Sequence, residues 1–217
     1  AWWEGEMLDR PPVTLGVQPS GPYRGPVKAH RTLEERWMDV EFQVEKAEAE
    51  LERREFPGDS FPLYMPNLGP DLLSCLLGCG ADFGEDTSWS VPVVKDPSDW
   101  EALAARGPDF SHPYWNAVEA MTDLALGRSR GRYLVGVTDL HGNYDLLAAL
   151  RDPQALCLDL SDNPEPVIHA GRWLTRVFQE AFLRLWTRIR GAGMGCSTWA
   201  PAYREGIDPR LRRWGRG

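Results

Sequence analysis

The sequence predicts an α/β fold built on a parallel sheet with helical crossovers. Three observations predict it. Short β-branched runs alternate along the chain with amphipathic segments of helical period. The connections between successive runs are too long for hairpins, which leaves the parallel arrangement. Polar side chains gather just after each run, at the edge where α/β sheets bind ligands. The composition agrees: 217 residues, 42% hydrophobic and 26% charged, describe a globular chain able to bury a core.

The first run is Val13-Thr14-Leu15-Gly16-Val17, entered from Arg10-Pro11-Pro12 and stopped by Gln18-Pro19-Ser20-Gly21-Pro22, as for a buried strand that ends in a loop. Thr32, with Glu35 three residues on, is a capping-box signature. Leu33, Trp37, Val40, Val44, Ala47 and Leu51 then recur at steps of four and three, which predicts a long amphipathic helix. Its other face, with Glu41, Glu45, Lys46, Glu48, Glu52 and Arg53, reads as solvated.

Asn67-Leu68-Gly69-Pro70 opens a shorter expected helix through Leu77, broken by Gly78 and Gly80. Ala81-Asp82-Phe83 is the second expected strand, followed by the polar loop Glu85-Asp86-Thr87-Ser88-Trp89. A third helix is expected from Tyr114 to Leu126, ended by Gly127. The clearest strand signal is Arg132 to Thr138, which delivers Asp139, His141 and Asn143 to its C-terminal end. A short helical stretch follows around Leu146 to Leu150. Asn163-Pro164-Glu165 then caps a long helix carrying Val167, Trp173, Leu174, Val177, Phe178, Phe182, Leu185, Trp186 and Ile189. Gly191-Ala192-Gly193 ends it, and Met194 to Trp199 reads as the fourth strand. Residues 204–217 hold five arginines and little apolar content, which predicts a frayed basic tail and suggests a truncated or frame-shifted end.

The net charge of −8 gives no general attraction to nucleic acid or to an anionic membrane, so a small-molecule substrate is the expected partner. Apolar runs such as Leu72 to Leu77 fall far below the roughly 20 residues that cross a bilayer. The start Ala1-Trp2-Trp3-Glu4 has no signal-peptide pattern, and the expected location is cytoplasmic. Four cysteines, Cys75, Cys79, Cys157 and Cys196, lie in apolar surroundings and read as buried thiols. Cys75 and Cys79 lack a second cysteine pair or a histidine at zinc spacing, so no metal ligands are assigned in this chain. His30, His112 and His169 read as structural or exposed.

Thr138-Asp139-Leu140-His141-Gly142-Asn143 resembles the D-x-H-G-N element of calcineurin-like metallophosphoesterases, whose dinuclear centre activates water. That chemistry needs ligands for two metals, and the element stands alone. No G-D-x-x-D-R-G, G-N-H-D/E or G-H-x-H follows, and Asp159 with Asp162 is the nearest imitation.

A second resemblance covers nearly the whole chain up to about Tyr203. Its carriers are Trp3-Glu4-Gly5-Glu6 with Leu8-Asp9-Arg10-Pro11, then Asn67-Leu68-Gly69-Pro70, then Gly80-Ala81-Asp82 with Thr87-Ser88-Trp89. Thr138-Asp139-Leu140-His141-Gly142 with Leu147-Ala148-Ala149-Leu150-Arg151 completes the series. In this order and spacing the chain resembles the uroporphyrinogen decarboxylase superfamily, which includes cobamide-dependent methyltransferases. The resemblance implies an incomplete (β/α)8 TIM barrel: strands one to four with their crossover helices over residues 1–203, since a full barrel takes about 250 residues. A fragment of this kind is expected to be inactive alone, its complete parent being a lyase or a methyltransferase.

Carried over residue by residue, the resemblance argues against the tetrapyrrole substrate. The decarboxylases' strand-one motif, P-V-W-x-M-R-Q-A-G-R-Y, supplies arginines for the substrate's carboxylates, and here Val17 and Gly21 stand in their places. The resemblance implies that Asp86, or Glu85 beside it, takes the place of the decarboxylase aspartate that holds the pyrrole nitrogens. It puts Asp139 and His141 at the end of strand three, where barrel enzymes carry catalytic groups, and Tyr144 near the family's active-site tyrosine. Gln18, Trp89, Asn143, Tyr144, Thr198 and Trp199 are the expected substrate-binding residues. In the methyltransferase branch a zinc held by a histidine and two cysteines activates a thiol, and those ligands belong to the second half of the barrel. For the complete enzyme the resemblance implies zinc or a cobamide as cofactor and a corrinoid protein or a second copy as partner. The expected function is methyl transfer or decarboxylation on a small organic or methylated substrate. The alternatives are the metallophosphoesterase and a non-catalytic binding fragment.

Overall fold

The computed structural model describes residues 10, 11 and 13–197; the expected basic tail, Thr198 and Trp199 lie outside them. The first expected strand does not form. Within Val13 to Val17 only Thr14 bridges, antiparallel, to Gly58. Val13, Leu15 and Val17 are exposed at 45%, 52% and 38%, which is not a core strand. Side chains satisfy the backbone instead: Val13 N–H donates to Asp59 at 2.8 Å and Leu15 N–H to the Ser60 hydroxyl at 2.8 Å. β propensity alone makes no strand where no neighbouring strand offers a ladder.

The expected long helix is two helices. The first, α1 (Leu33–Met38), starts where the Thr32 hydroxyl accepts from Glu35 N–H at 3.1 Å. Glu35 reaches back to Arg31 N–H at 3.0 Å, one residue before the partner a capping box uses. Asp39 then leaves the helical conformation and caps α2 (Val40–Glu52), accepting from Phe42 N–H at 3.1 Å. The Lys28 ammonium and His30 Nε2, the latter 3.0 Å away, hold the same carboxylate. His30 is therefore structural, as expected.

β1 (Leu63–Tyr64) went unread because prolines at Pro62 and Pro66 frame so short a run. Asn67 to Pro70 is a turn rather than the first turn of a helix: Asn67 Oδ1 accepts from Gly69 N–H at 2.7 Å, and Gly69 has φ +92°. The helix is confined to α3 (Leu72–Leu76). β2 (Gly80–Phe83) forms as expected, but its neighbour is β3 (Ser88–Val91), antiparallel, with Asp82 opposite Trp89. Gly84 to Thr87 closes the hairpin through Gly84 N–H to Thr87 O at 2.8 Å. A parallel second strand is thus replaced by a hairpin, since a link this short can join only antiparallel neighbours.

α4 (Asp99–Arg106) follows, then α5 (Pro113–Ser129), which runs through Gly127 and stops where Arg130 and Gly131 both take positive φ. Glycine permits a stop without imposing one. β4 (Leu134–Val135) pairs parallel with β1, Leu63 beside Leu134 and Tyr64 beside Val135. Leu134 N–H reaches Pro62 O at 2.9 Å and Gly136 N–H reaches Tyr64 O at 2.8 Å. Val137, whose N–H points the other way, donates to Ser197 O at 2.8 Å. Ser197, within the segment expected as the fourth strand, therefore lies on the side of β4 away from β1. β1 and β4 form a two-stranded parallel sheet, with α3, β2, β3, α4 and α5 in the chain between them.

α6 (Asn143–Arg151) and α7 (Pro153–Asp162) lead into α8 (Pro164–Gly191). Asn163 makes no side-chain cap there, contrary to the expectation from its type; Pro164, with no N–H to satisfy, opens the helix instead. Val167, Ala170, Leu174, Val177, Ala181, Leu185 and Ile189 are buried at steps of three and four, and that stripe packs across α4, α5, α6 and α7. Asp159, which imitated a metal ligand in the sequence, is gripped by both arms of Arg151 at 2.7 and 3.1 Å. The observed class is α/β with a small parallel sheet and dominant helix. Among the described residues no helix is long and apolar enough to cross a membrane.

Candidate functional site at the end of β4

β4 continues through the buried residues Gly136, Val137 and Thr138 to Asp139. Its neighbour β1 leads through the Asn67–Gly69 turn to Asp71. Because the two strands are parallel, both chains arrive at the same edge. His141 lies between the two carboxylates, Nε2 3.6 Å from Asp139 Oδ2 and Nδ1 3.8 Å from Asp71 Oδ1. These distances exceed direct hydrogen bonds, and the ring lies within ion-pair range of both acids. The side chains of Asp71, Asp139 and His141 are 19%, 23% and 35% exposed, within reach of a ligand from solvent.

Each partner is placed by its own local structure. Asp71 Oδ2 accepts from Ser90 N–H at 3.1 Å, so the hairpin steadies this carboxylate. Burial raises the Asp139 carboxyl above its ordinary range; His141 opposes the shift, while Asp145 and Asp71 add to it. Gly142 lets the loop close on α8: a β-carbon there would stand 3.0 Å from the Phe178 ring. Asn143 starts α6 at φ +52°, a conformation that asparagine accepts more readily than most residues.

Sequence reasoning missed Asp71, because only the β1–β4 pairing brings residues so far apart together. It also missed Thr138 and Ser197, whose buried hydroxyls have no hydrogen-bond partner among the described residues. The position of Thr138 just before Asp139 was the available signal.

The other candidates make no side-chain hydrogen bond or ion pair to this trio among the described residues. Gln18 is exposed in the irregular N-terminal segment. Glu85 sits in the hairpin turn, ion-paired with Arg36 of α1, and Asp86 beside it is exposed. Among the described residues no hydrogen bond or ion pair joins Glu85 or Asp86 to Asp139 or His141. Trp89 and Tyr144 are 58% and 62% exposed, and Asn143 is exposed.

Chemically, a half-exposed imidazole between two carboxylates can exchange a proton with a bound molecule, and the carboxylates can accept N–H donors or oppose a positive centre. The described residues do not fit a zinc bound by a histidine and two cysteines. No group of three or more potential ligands converges among them. Burial pushes the Cys75 thiol up to about 12 and raises Cys79 as well, which disfavours the thiolates that zinc requires. No protein-family model, curated protein or solved structure matches this chain.

Proposed function

We propose that the chain carries part of the catalytic edge of an enzyme resembling the uroporphyrinogen decarboxylase superfamily, acting on a small organic or methylated substrate by decarboxylation or methyl transfer. One observation carries the reading: parallel neighbours β1 and β4 bring Asp71, Asp139 and His141 to one edge. His141 exchanges a proton with the substrate. Asp139, whose burial favours its protonated form, shares that proton, and Asp71 orients the ring from its hydrogen bond with Ser90. The edge is acidic, with Asp145 near Asp139, so it suits a neutral or N–H-bearing molecule better than the many carboxylates of a porphyrinogen.

The test offers the protein three substrates in parallel. These are uroporphyrinogen, assayed for carbon dioxide; methylcobalamin with a thiol acceptor and zinc, followed by loss of the cobalt–methyl absorption; and p-nitrophenyl phosphate with manganese. Turnover in the methyl-transfer arm that vanishes in folded His141→Asn supports the proposal, and turnover of uroporphyrinogen that vanishes in the same variant keeps the catalytic edge but overturns the small-substrate reading. Metal-dependent phosphate release alone assigns the chain to phosphoester chemistry instead, and no turnover in any arm together with no substrate binding by calorimetry that His141→Asn weakens removes the catalytic-edge reading from this chain.

A further inference from the structure

An open cleft of about 330 Å³ lies between α2 and the outer edge of β1, away from the Asp71, Asp139 and His141 side chains. Its size is at the lower end of small-molecule sites. Trp37, Leu51, Leu63 and Met65 are among its apolar walls, while Gln43, Lys46, Glu50, Arg54 and Asn67 are its polar lining. Met65 and Asn67 follow β1, so the cleft opens beside the C-terminal end of that strand, the side on which α/β sheets receive ligands.

The charges around the cleft are unbalanced in one direction. Glu50 is engaged by Arg53, Nη1 to Oε1 at 3.2 Å. Neither the Lys46 ammonium nor the Arg54 guanidinium has an acidic partner among the described residues, although the chain as a whole carries −8. Asn67 uses its carbonyl oxygen within its own turn, which leaves its amide hydrogens available. Two cations and an amide donor at the rim of an apolar pit match a molecule with one anionic group and an apolar body.

We propose that this cleft binds a small organic monoanion, its carboxylate held by Lys46 and Arg54 and its apolar body against Trp37 and Leu63. The inference goes beyond the catalytic reading and does not depend on it. Both cations are exposed and make no ion pair among the described residues, so replacing them is expected to leave the fold intact.

Isothermal titration calorimetry with benzoate, and with benzamide as its uncharged counterpart, tests the proposal on the full chain. Benzoate is expected to bind at least tenfold more tightly than benzamide. The double variant Lys46→Gln with Arg54→Gln, its melting temperature checked against the parent, is expected to lose at least tenfold in benzoate affinity while benzamide binding stays the same. His141→Asn is expected to bind benzoate like the parent, which keeps this site distinct from the edge at β4. Equal binding of the two probes, no benzoate binding up to 10 mM, or unchanged benzoate binding by the double variant overturns the proposal.

Discussion

Tyr133, the residue before β4, donates its hydroxyl proton to Glu48 Oε1 of α2 at 3.0 Å. Glu48 is only 8% exposed, and Arg128 and Arg132 also reach its carboxylate, at 2.8 and 3.0 Å. The acidic face of α2 that reads as solvated is therefore partly an interface. Tyr133→Phe is expected to cost about 1 kcal/mol in chemical denaturation. Glu48→Ala is expected to cost more, about 2–3 kcal/mol, because it leaves the phenol and two guanidinium groups without their common acceptor.

The same contact gives an alkaline signature. Burial, and then the Glu48 carboxylate, raise the Tyr133 phenol above its ordinary value, and Tyr64 and Tyr114 shift the same way. A phenol that ionises later in the folded state contributes stability below the unfolded value of about 10, and that contribution fades as pH rises beyond it. Stability is expected to fall above about pH 10, with a shallower slope in Tyr133→Phe, measured by urea midpoints across pH.

At the acid end the sensitive group is Asp39. Burial pushes this carboxyl up, but hydrogen bonds from Lys28, His30 and Phe42 N–H outweigh it and hold the group at about 2, below its ordinary 3.8. A depressed carboxyl stabilises the fold above its unfolded value, so the contribution is lost as pH falls from 3.8 through about 2. Asp39→Ala is expected to cost about 1–2 kcal/mol at neutral pH through loss of the α2 cap. Asp39→Asn retains a cap and is expected to flatten the acid dependence.

Gly69 should tolerate no side chain. Its φ is +92°, and a β-carbon would stand 1.8 Å from the Ser88 hydroxyl oxygen, which donates to Leu68 O at 2.7 Å. Gly69→Ala is expected to lose about 2–3 kcal/mol. Adding Ser88→Ala should recover only part of that loss, since the backbone strain remains. Full recovery in thermal melts would show that the clash alone matters.

Within the candidate site, Asp139 reports its neighbours. His141→Asn is expected to raise the Asp139 titration midpoint further, because the imidazole opposes the upward shift, and Asp71→Asn is expected to lower it. Carboxyl carbon chemical shifts against pH measure both. An Asp139 midpoint indifferent to both substitutions would mean that the three side chains do not act together.

The reach of sequence reasoning depended on how local each feature is. The Thr32 cap, the core stripe of α8 and the extended run before Asp139 are written in neighbouring residues, and all three were legible. Gly84 to Thr87 shows the opposite case: whether Ala81 to Phe83 lies parallel or antiparallel depends on which chain runs beside it, and Ser88 to Val91 was read in part as loop. Val13 to Val17 has strand-like residues without a strand to pair with.

What the sequence by itself determined is the α/β character and the delivery of Asp139 and His141 by the run before them, because propensity, period and capping act over a few residues. Only the tertiary structure decided that Asp71 joins them, that Glu85 turns to Arg36 instead, and that α2 and β1 enclose a cleft. The first rests on the pairing of Leu63 with Leu134, and all three join chain segments too distant for any local pattern to record.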